Sequence, residues 1–303
     1  MNDIFIFTDC DLDGAGSYLM FEWFIKKNIP YKIIRVNDFK QIFAPWYEEN
    51  GSKYKQIYIL DLDVSQESQE LVDKKNVTII DHHKTHANNK DNYKNATTII
   101  KEYSSCTKLI YNLFTKKTNK KLSAEQKMMV LHIDDYDSYE LKLPQSYDIN
   151  IVYWNYQGDR ISHFLNDFGN GFNGFSAKNA SAIKFYKNKF KSIINKLDVH
   201  HAPKVPIGKN TYKFVSVFAE SHINEIADHI IKNYKADVGF VVNLKTNKVS
   251  IRKSKECELD LGAFSSKLFD AGGGHEYAAG GLINEKFLQL SKLFSPARIK
   301  IGS

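Results

Sequence analysis

An α/β fold with a parallel-sheet N-terminal domain is predicted by three features of the chain. Short β-rich runs alternate with helical segments, acidic or imidazole groups follow three of those runs, and the charge balance changes past residue 177. The runs are "IFIF" (4–7), "KIIRV" (32–36), "IYIL" (57–60) and "VTII" (77–80). Between the first two lies "YLMFEWFIKKN", apolar on nearly all sides, which reads as a buried helix. Such alternation builds βαβ units and a parallel sheet. Open sheets of that kind carry their ligands beyond the carboxyl ends of the strands.

Further along, residues 101–132 read mostly helical, and "SAEQKMMVLHI" starts on a capping Ser123 with Glu125 and Gln126 in its first turn. A second carboxylate cluster, "HIDDYDSY" (132–139), follows. The Gly-rich "FGNGFNGF" (168–175) breaks structure before a basic helix at about 176–197, and "HHAPKVP" then reads as a connector. These signals divide the chain into 1–177, a linker helix and connector at 178–203, and a smaller α/β domain at 204–303. The last contains an amphipathic helix with Ile223, Ile226, Ala227, Ile230, Ile231 and Tyr234 on one face. Strand-like "DVGFVVNL" and "KVSIRKS" follow it, then "GAFSSKLF" and "AGGGHEYAAGG".

Composition narrows the function classes. The 43% hydrophobic content suffices for packed cores, and no apolar run approaches the length of a membrane span. Three scattered cysteines (Cys10, Cys106, Cys257) fit neither a disulfide framework nor a zinc finger. With an opening "MNDIFIF" that has no basic leader, they predict a reducing, cytoplasmic setting. Residues 1–177 hold 21 Lys and Arg against 24 Asp and Glu, whereas residues 178–303 hold 21 against 11. A basic half beside an acidic half suits a polyanion held against a carboxylate-rich centre, although a lysine-rich solvated surface would show the same bias.

The sharpest signal is "DCDLDGAGS" (9–17), with carboxylates at Asp9, Asp11 and Asp13. Like charges this close repel and raise one another's pKa, so the cluster makes sense only with cations among them. Asp61 directly follows the third run, and Asp81, His82 and His83 follow the fourth. A single strand-end Asp is ordinarily a turn or helix cap. Their occurrence at three strand ends points instead to one site on one sheet edge. Carboxylates with one or two imidazoles suit Mn²⁺ or Mg²⁺, and a pair of such ions supports in-line displacement at phosphorus.

With "ILDLDVS", "TIIDHH", "DDYDSY", "SIRKS" and "GGGHEYAAGG" following "DCDLDGAGS" in order, the chain resembles the DHH phosphoesterases with their DHH-associated C-terminal domain. The resemblance implies a two-domain enzyme, with a two-ion Mn²⁺ centre (Mg²⁺ as the alternative) in the first domain and a substrate-binding second domain across a cleft. Carried over, Asp9, Asp11 and Asp61 hold one ion, and Asp13, Asp61, His82 and Asp135 the other, with Asp134 the rival for the last position. Asp9 stands where many members have His; an Asp at this place is what the RecJ-type exonucleases carry. His83 faces the scissile phosphate and Asp81 orients a histidine. Arg252 and the Gly273-Gly274-His275 segment grip substrate phosphate. Alone, such glycines would more often be a turn, yet they also let backbone approach a phosphate closely.

The implied activity is a metal-dependent phosphodiesterase or exonuclease acting on terminal bonds of single-stranded or short oligonucleotides. Cyclic dinucleotides or nucleotide bisphosphates are alternative substrates. A pyrophosphatase or polyphosphatase is a further reading, and so is a nucleotide-binding protein without turnover. A homodimer fits this reading, and a membrane partner does not.

Overall fold

A computed structural model describes residues 2–65, 68–274 and 276–283. The chain forms two compact units, residues 1–186 and 187–303. The first opens with β1 (Asn2–Thr8), α1 (Leu12–Phe24), β2 (Tyr31–Ile33), α2 (Phe39–Asn50) and β3 (Tyr54–Leu60). It continues with α3 (Gln69–Val72), β4 (Val77–Asp81), α4 (Lys84–Ala87) and β5 (Thr97–Ile100). Five helices follow: α5 (Cys106–Lys117), α6 (Ala124–Asp137), α7 (Pro144–Asn155), α8 (Arg160–Phe168) and α9 (Ala177–Ile194). All four predicted runs are strands of one parallel sheet, in the order β2-β1-β3-β4-β5. The edge strand β5 was not foreseen, because "TTII" sits in a polar stretch that reads as loop or helix.

Both faces of the sheet are covered, which explains the unbroken apolar runs. In β1, Phe5 and Phe7 pack with Phe39 and Phe43 of α2, while Ile6 between them joins α1, α5 and α6 on the other face. Helix α1 is buried along almost its whole length. Its two glycines permit close approach. A Cβ at Gly16 would meet the Thr107 hydroxyl at 2.3 Å and the Ile133 side chain at 2.7 Å, and one at Gly14 would meet the Asp9 carbonyl at 2.4 Å. At Gly14 the obstacle is backbone, so a side chain there forces a backbone shift, whereas at Gly16 the Thr107 and Ile133 side chains would have to give way. Gly14 therefore sets the curvature of the "DCDLD" turn.

The second unit comprises β6 (His200–Ile207), β7 (Asn210–Phe218), α10 (Ile223–Tyr234), β8 (Val238–Asn243), β9 (Lys248–Lys253), α11 (Leu261–Leu268), β10 (Asp270–Gly274) and β11 (Ala278–Leu282). They form a mixed sheet in the order β10-β11-β9-β8-β7-β6. The stretch expected to be a connector before residue 204 is instead the start of β6, and the unit boundary falls inside α9. Prolines 203 and 206 misled because β6 is an edge strand, where a missing N–H costs no ladder bond. Among the described residues, no helix is long and apolar enough to cross a membrane.

Candidate metal centre

The carboxyl ends of β1, β3 and β4 deliver their acidic groups to one place, and two helices complete it. Asp11 caps α1, its carboxylate accepting from Gly14 N–H at 2.9 Å. Asp13, in the first turn of the helix, accepts from the backbone N–H groups of Cys106 (2.6 Å) and Thr107 (2.9 Å), donors at the start of α5. Its Oδ2 also lies 3.6 Å from His82 Nε2. The same imidazole nitrogen stands 3.3 Å from Asp61 Oδ1 and 3.5 Å from Asp137 Oδ2. His82 Nδ1 faces the Tyr103 carbonyl at 3.1 Å, which fixes Nδ1 as the donor and leaves the Nε2 lone pair facing the carboxylates.

Asp61 holds a left-handed backbone, φ +59°. For a residue other than glycine this conformation costs energy, and Asp tolerates it better than most. The turn aims the buried carboxylate inward from the end of β3. Asp63, two residues on, turns away: it accepts from Ser65 and Thr85.

Two sets of donor atoms lie close enough to hold an ion: Asp61, His82 and His83 in one, Asp13, His82 and Asp137 in the other. The protonation states show how unfavourable the bare cluster is. Burial, then the neighbouring Asp11, lifts Asp9 to about 7. Burial and Asp13 lift Asp11, and burial with Asp13 and Asp11 lifts both Asp61 and Asp137 well above the usual carboxylate range. A carboxylate-rich set with one or two imidazoles fits a hard or borderline divalent cation, which removes this repulsion.

The α6 carboxylate beside His82 is not the one the sequence reading named. Asp135 does not face the centre. Its two oxygens accept from the backbone N–H groups of Lys142 (2.8 Å) and Leu143 (3.0 Å). Asp134 accepts from the hydroxyls of Ser104 and Ser105. Asp137 is the carboxylate beside His82, because α6 runs on through Asp137 and its core stripe Met129, Val130, Ile133 leads one turn further to that position. That stripe was the available signal.

Asp81 is fully buried and links two histidines, His83 Nδ1 to Oδ1 and His86 Nδ1 to Oδ2, both at 2.7 Å. His86 Nε2 in turn meets the Tyr93 hydroxyl at 2.7 Å. Burial alone would raise the Asp81 pKa, but the bonds to His83 and His86 outweigh it and hold the carboxyl below its usual range. Burial opposes charge on His83, yet the hydrogen bond to Asp81 wins and lifts it to about 9. His86, which matched no motif, is thus part of the chain of groups that orients His83.

In the second unit, Arg252 on β9 stands opposite Ala278, and Gly274 on β10 stands opposite Ala279, so both border the same end of β11. The Arg252 guanidinium donates to Asn224 Oδ1 at 2.8 Å. Gly274 has φ +135°, and a Cβ there would meet the Ala278 carbonyl at 2.5 Å, so the position demands glycine. Gly273 precedes it with open space around its Cα. Lys253, its side chain fully buried, pairs with Glu276 at 2.8 Å and braces the segment. His275 lies outside the described residues.

Several solved structures share this fold. The pGpG-specific phosphodiesterase PggH from Vibrio cholerae matches with a TM-score of 0.59 at 11% identity, over 97% of this chain and 98% of that one. An exopolyphosphatase-related protein from Bacteroides fragilis matches at 0.54 and 16% identity, over 97% and 90%. The exonuclease RecJ bound to manganese matches at 0.53 and 12%, over 96% and 88%. No curated protein matches the chain by sequence. Residues 3–133 match the family model for the DHH family, N-terminal domain, and this is the stretch that carries every strand-end acidic and imidazole group described above.

Proposed function

We propose that the chain is a divalent-metal-dependent phosphodiesterase that hydrolyses short oligonucleotides. The observation that carries this reading is the convergence of Asp13, Asp61, Asp137 and His82, with Asp9 and Asp11 beside them, at the carboxyl edge of the sheet. One ion would be held by Asp9, Asp11 and Asp61, and the second by Asp13, Asp61, His82 and Asp137. Two such ions, Mn²⁺ or Mg²⁺, would supply Lewis-acid activation of water and of phosphoryl oxygen. RecJ bound to manganese and a pGpG-specific phosphodiesterase share the fold, which supports both the metal and the substrate class.

The chain's own residues provide the rest. His83 is held by Asp81 through Nδ1, and its raised pKa keeps a proton on Nε2 at neutral pH. It can therefore donate to a nonbridging phosphoryl oxygen as charge develops there. Arg252, with its planar fork, is the second unit's candidate for a substrate phosphate, and Gly273 and Gly274 admit close backbone approach. An assay with Mn²⁺ across 5′-phosphorylated dinucleotides, longer single strands, cyclic dinucleotides and tripolyphosphate tests the reading. The dinucleotides should be cleaved fastest. Release of phosphate from tripolyphosphate alone would replace this reading with a polyphosphatase.

A further inference from the structure

The side of the metal loop that carries Cys10 is built from residues that no ligand assignment uses. The Tyr153 hydroxyl, near the end of α7, donates to the Cys10 carbonyl at 3.1 Å, between Asp9 and Asp11. Its ring meets that of Trp154 edge to face at 5.9 Å. Tyr153 is buried, but Trp154 is 41% exposed. One face of the Trp154 indole is covered by the Arg160 guanidinium, 4.6 Å from the ring centroid. The Arg160 Nε is buried with no hydrogen-bond partner among the described residues. Arg35, two residues past β2, interacts with the Cys10 side chain. Neither guanidinium is paired with a carboxylate among the described residues.

Composition sharpens the point. The chain has 42 Lys and Arg, of which only four are Arg, and one of those four lies over Trp154. Solvation is served by lysine elsewhere, whereas guanidinium planes are suited to stacking and to phosphate. An exposed indole braced from behind by a cation presents a flat, rigid surface of the kind on which nucleobases stack.

We infer that Trp154, backed by Arg160, forms a nucleobase subsite next to Tyr153, the residue that braces the Asp9–Asp11 turn. A base stacks on the face of Trp154 that Arg160 leaves open. The inference rests on the phosphodiesterase reading for its substrate, and it places one base recognition element within the first unit alone.

Steady-state hydrolysis of pGpG with Mn²⁺, by the full chain, tests it. Trp154→Ala should raise KM about five- to 150-fold, the range for a lost base–aromatic stack. Trp154→Phe should recover most of that loss, and both variants should melt near the wild type. With the two analogues of pGpG that each lack one base, the Trp154→Ala penalty should vanish for one analogue and persist for the other. An unchanged KM, or a penalty that is the same for both analogues, would overturn the subsite. If the wild type does not cleave pGpG, the phosphodiesterase reading fails, and fluorescence then decides the subsite. Titration with phosphorothioate-linked pGpG should quench the wild type more than Trp154→Phe. Equal quenching, or none in either, sinks it.

Discussion

The carboxylate of Asp137 lies 3.5 Å from Nε2 of His82, while Asp135, two residues earlier on the same helix, points away from it and binds the backbone of Lys142 and Leu143. The two should fail differently. Asp137→Ala should lower kcat by more than the about 10–100-fold typical of groups that only orient a ligand, with weaker Mn²⁺ binding. Asp135→Ala should retain turnover but lose about 1–3 kcal/mol of stability, because two N–H groups lose their acceptor. Calorimetric Mn²⁺ titration and thermal melts separate them. The reverse pattern would return the ligand role to Asp135.

Asp61 and Asp63 form a second contrast. Asp61→Asn keeps a residue that tolerates the left-handed backbone, so it should fold normally while losing Mn²⁺ affinity and turnover. Asp63→Ala removes only the acceptor for Ser65 and Thr85 and should cost far less activity. Equal damage from both would mean that the loop, not the charge, is what matters at the end of β3.

The raised carboxylates give the metal-free protein an unusual pH response. The unfolded chain releases these protons near pH 4, whereas folded Asp9 holds its own to about 7 and Asp11, Asp61 and Asp137 also hold theirs longer. Over that window the folded state binds more protons, so stability falls as pH rises. In EDTA the Tm should drop between about pH 5 and about pH 8, and Mn²⁺ should reverse most of the drop. Melts across this range that stay flat in EDTA would contradict the coupling.

Asp81 sets the His83 proton. Asp81→Asn keeps an acceptor for His83 Nδ1 but removes the charge that helps lift His83 to about 9, so the alkaline limb of the activity profile should move towards neutral. The expected loss at neutral pH is about 10–100-fold. Tyr93→Phe, which only touches the far end of the chain through His86, should shift the limb less. A pH profile with the wild-type limb in Asp81→Asn would show that His83 is not the titrating group.

The primary structure alone determined where the chemistry would lie. A parallel strand buried on both faces reads as an unbroken apolar run, so each polar residue that ends one marks the carboxyl edge of the sheet, and Asp9, Asp61 and His82 were placed by that rule. Arg252 and the glycines around 273 stood out through the resemblance of "SIRKS" and "GGGHEYAAGG" to the DHH phosphoesterases. Tertiary structure alone decided which carboxylate of "DDYDSY" enters the centre. All three sit in the last turn of α6, and their direction depends on helical phase and on Ile133 packing against Gly16 of α1, a contact more than a hundred residues away in sequence. The links from Asp81 to His86 and Tyr93, and from Cys10 to Tyr153, are of the same kind. Such pairs join elements whose separation in the chain carries no periodic signal, and only the folded packing brings their polar atoms within hydrogen-bonding range.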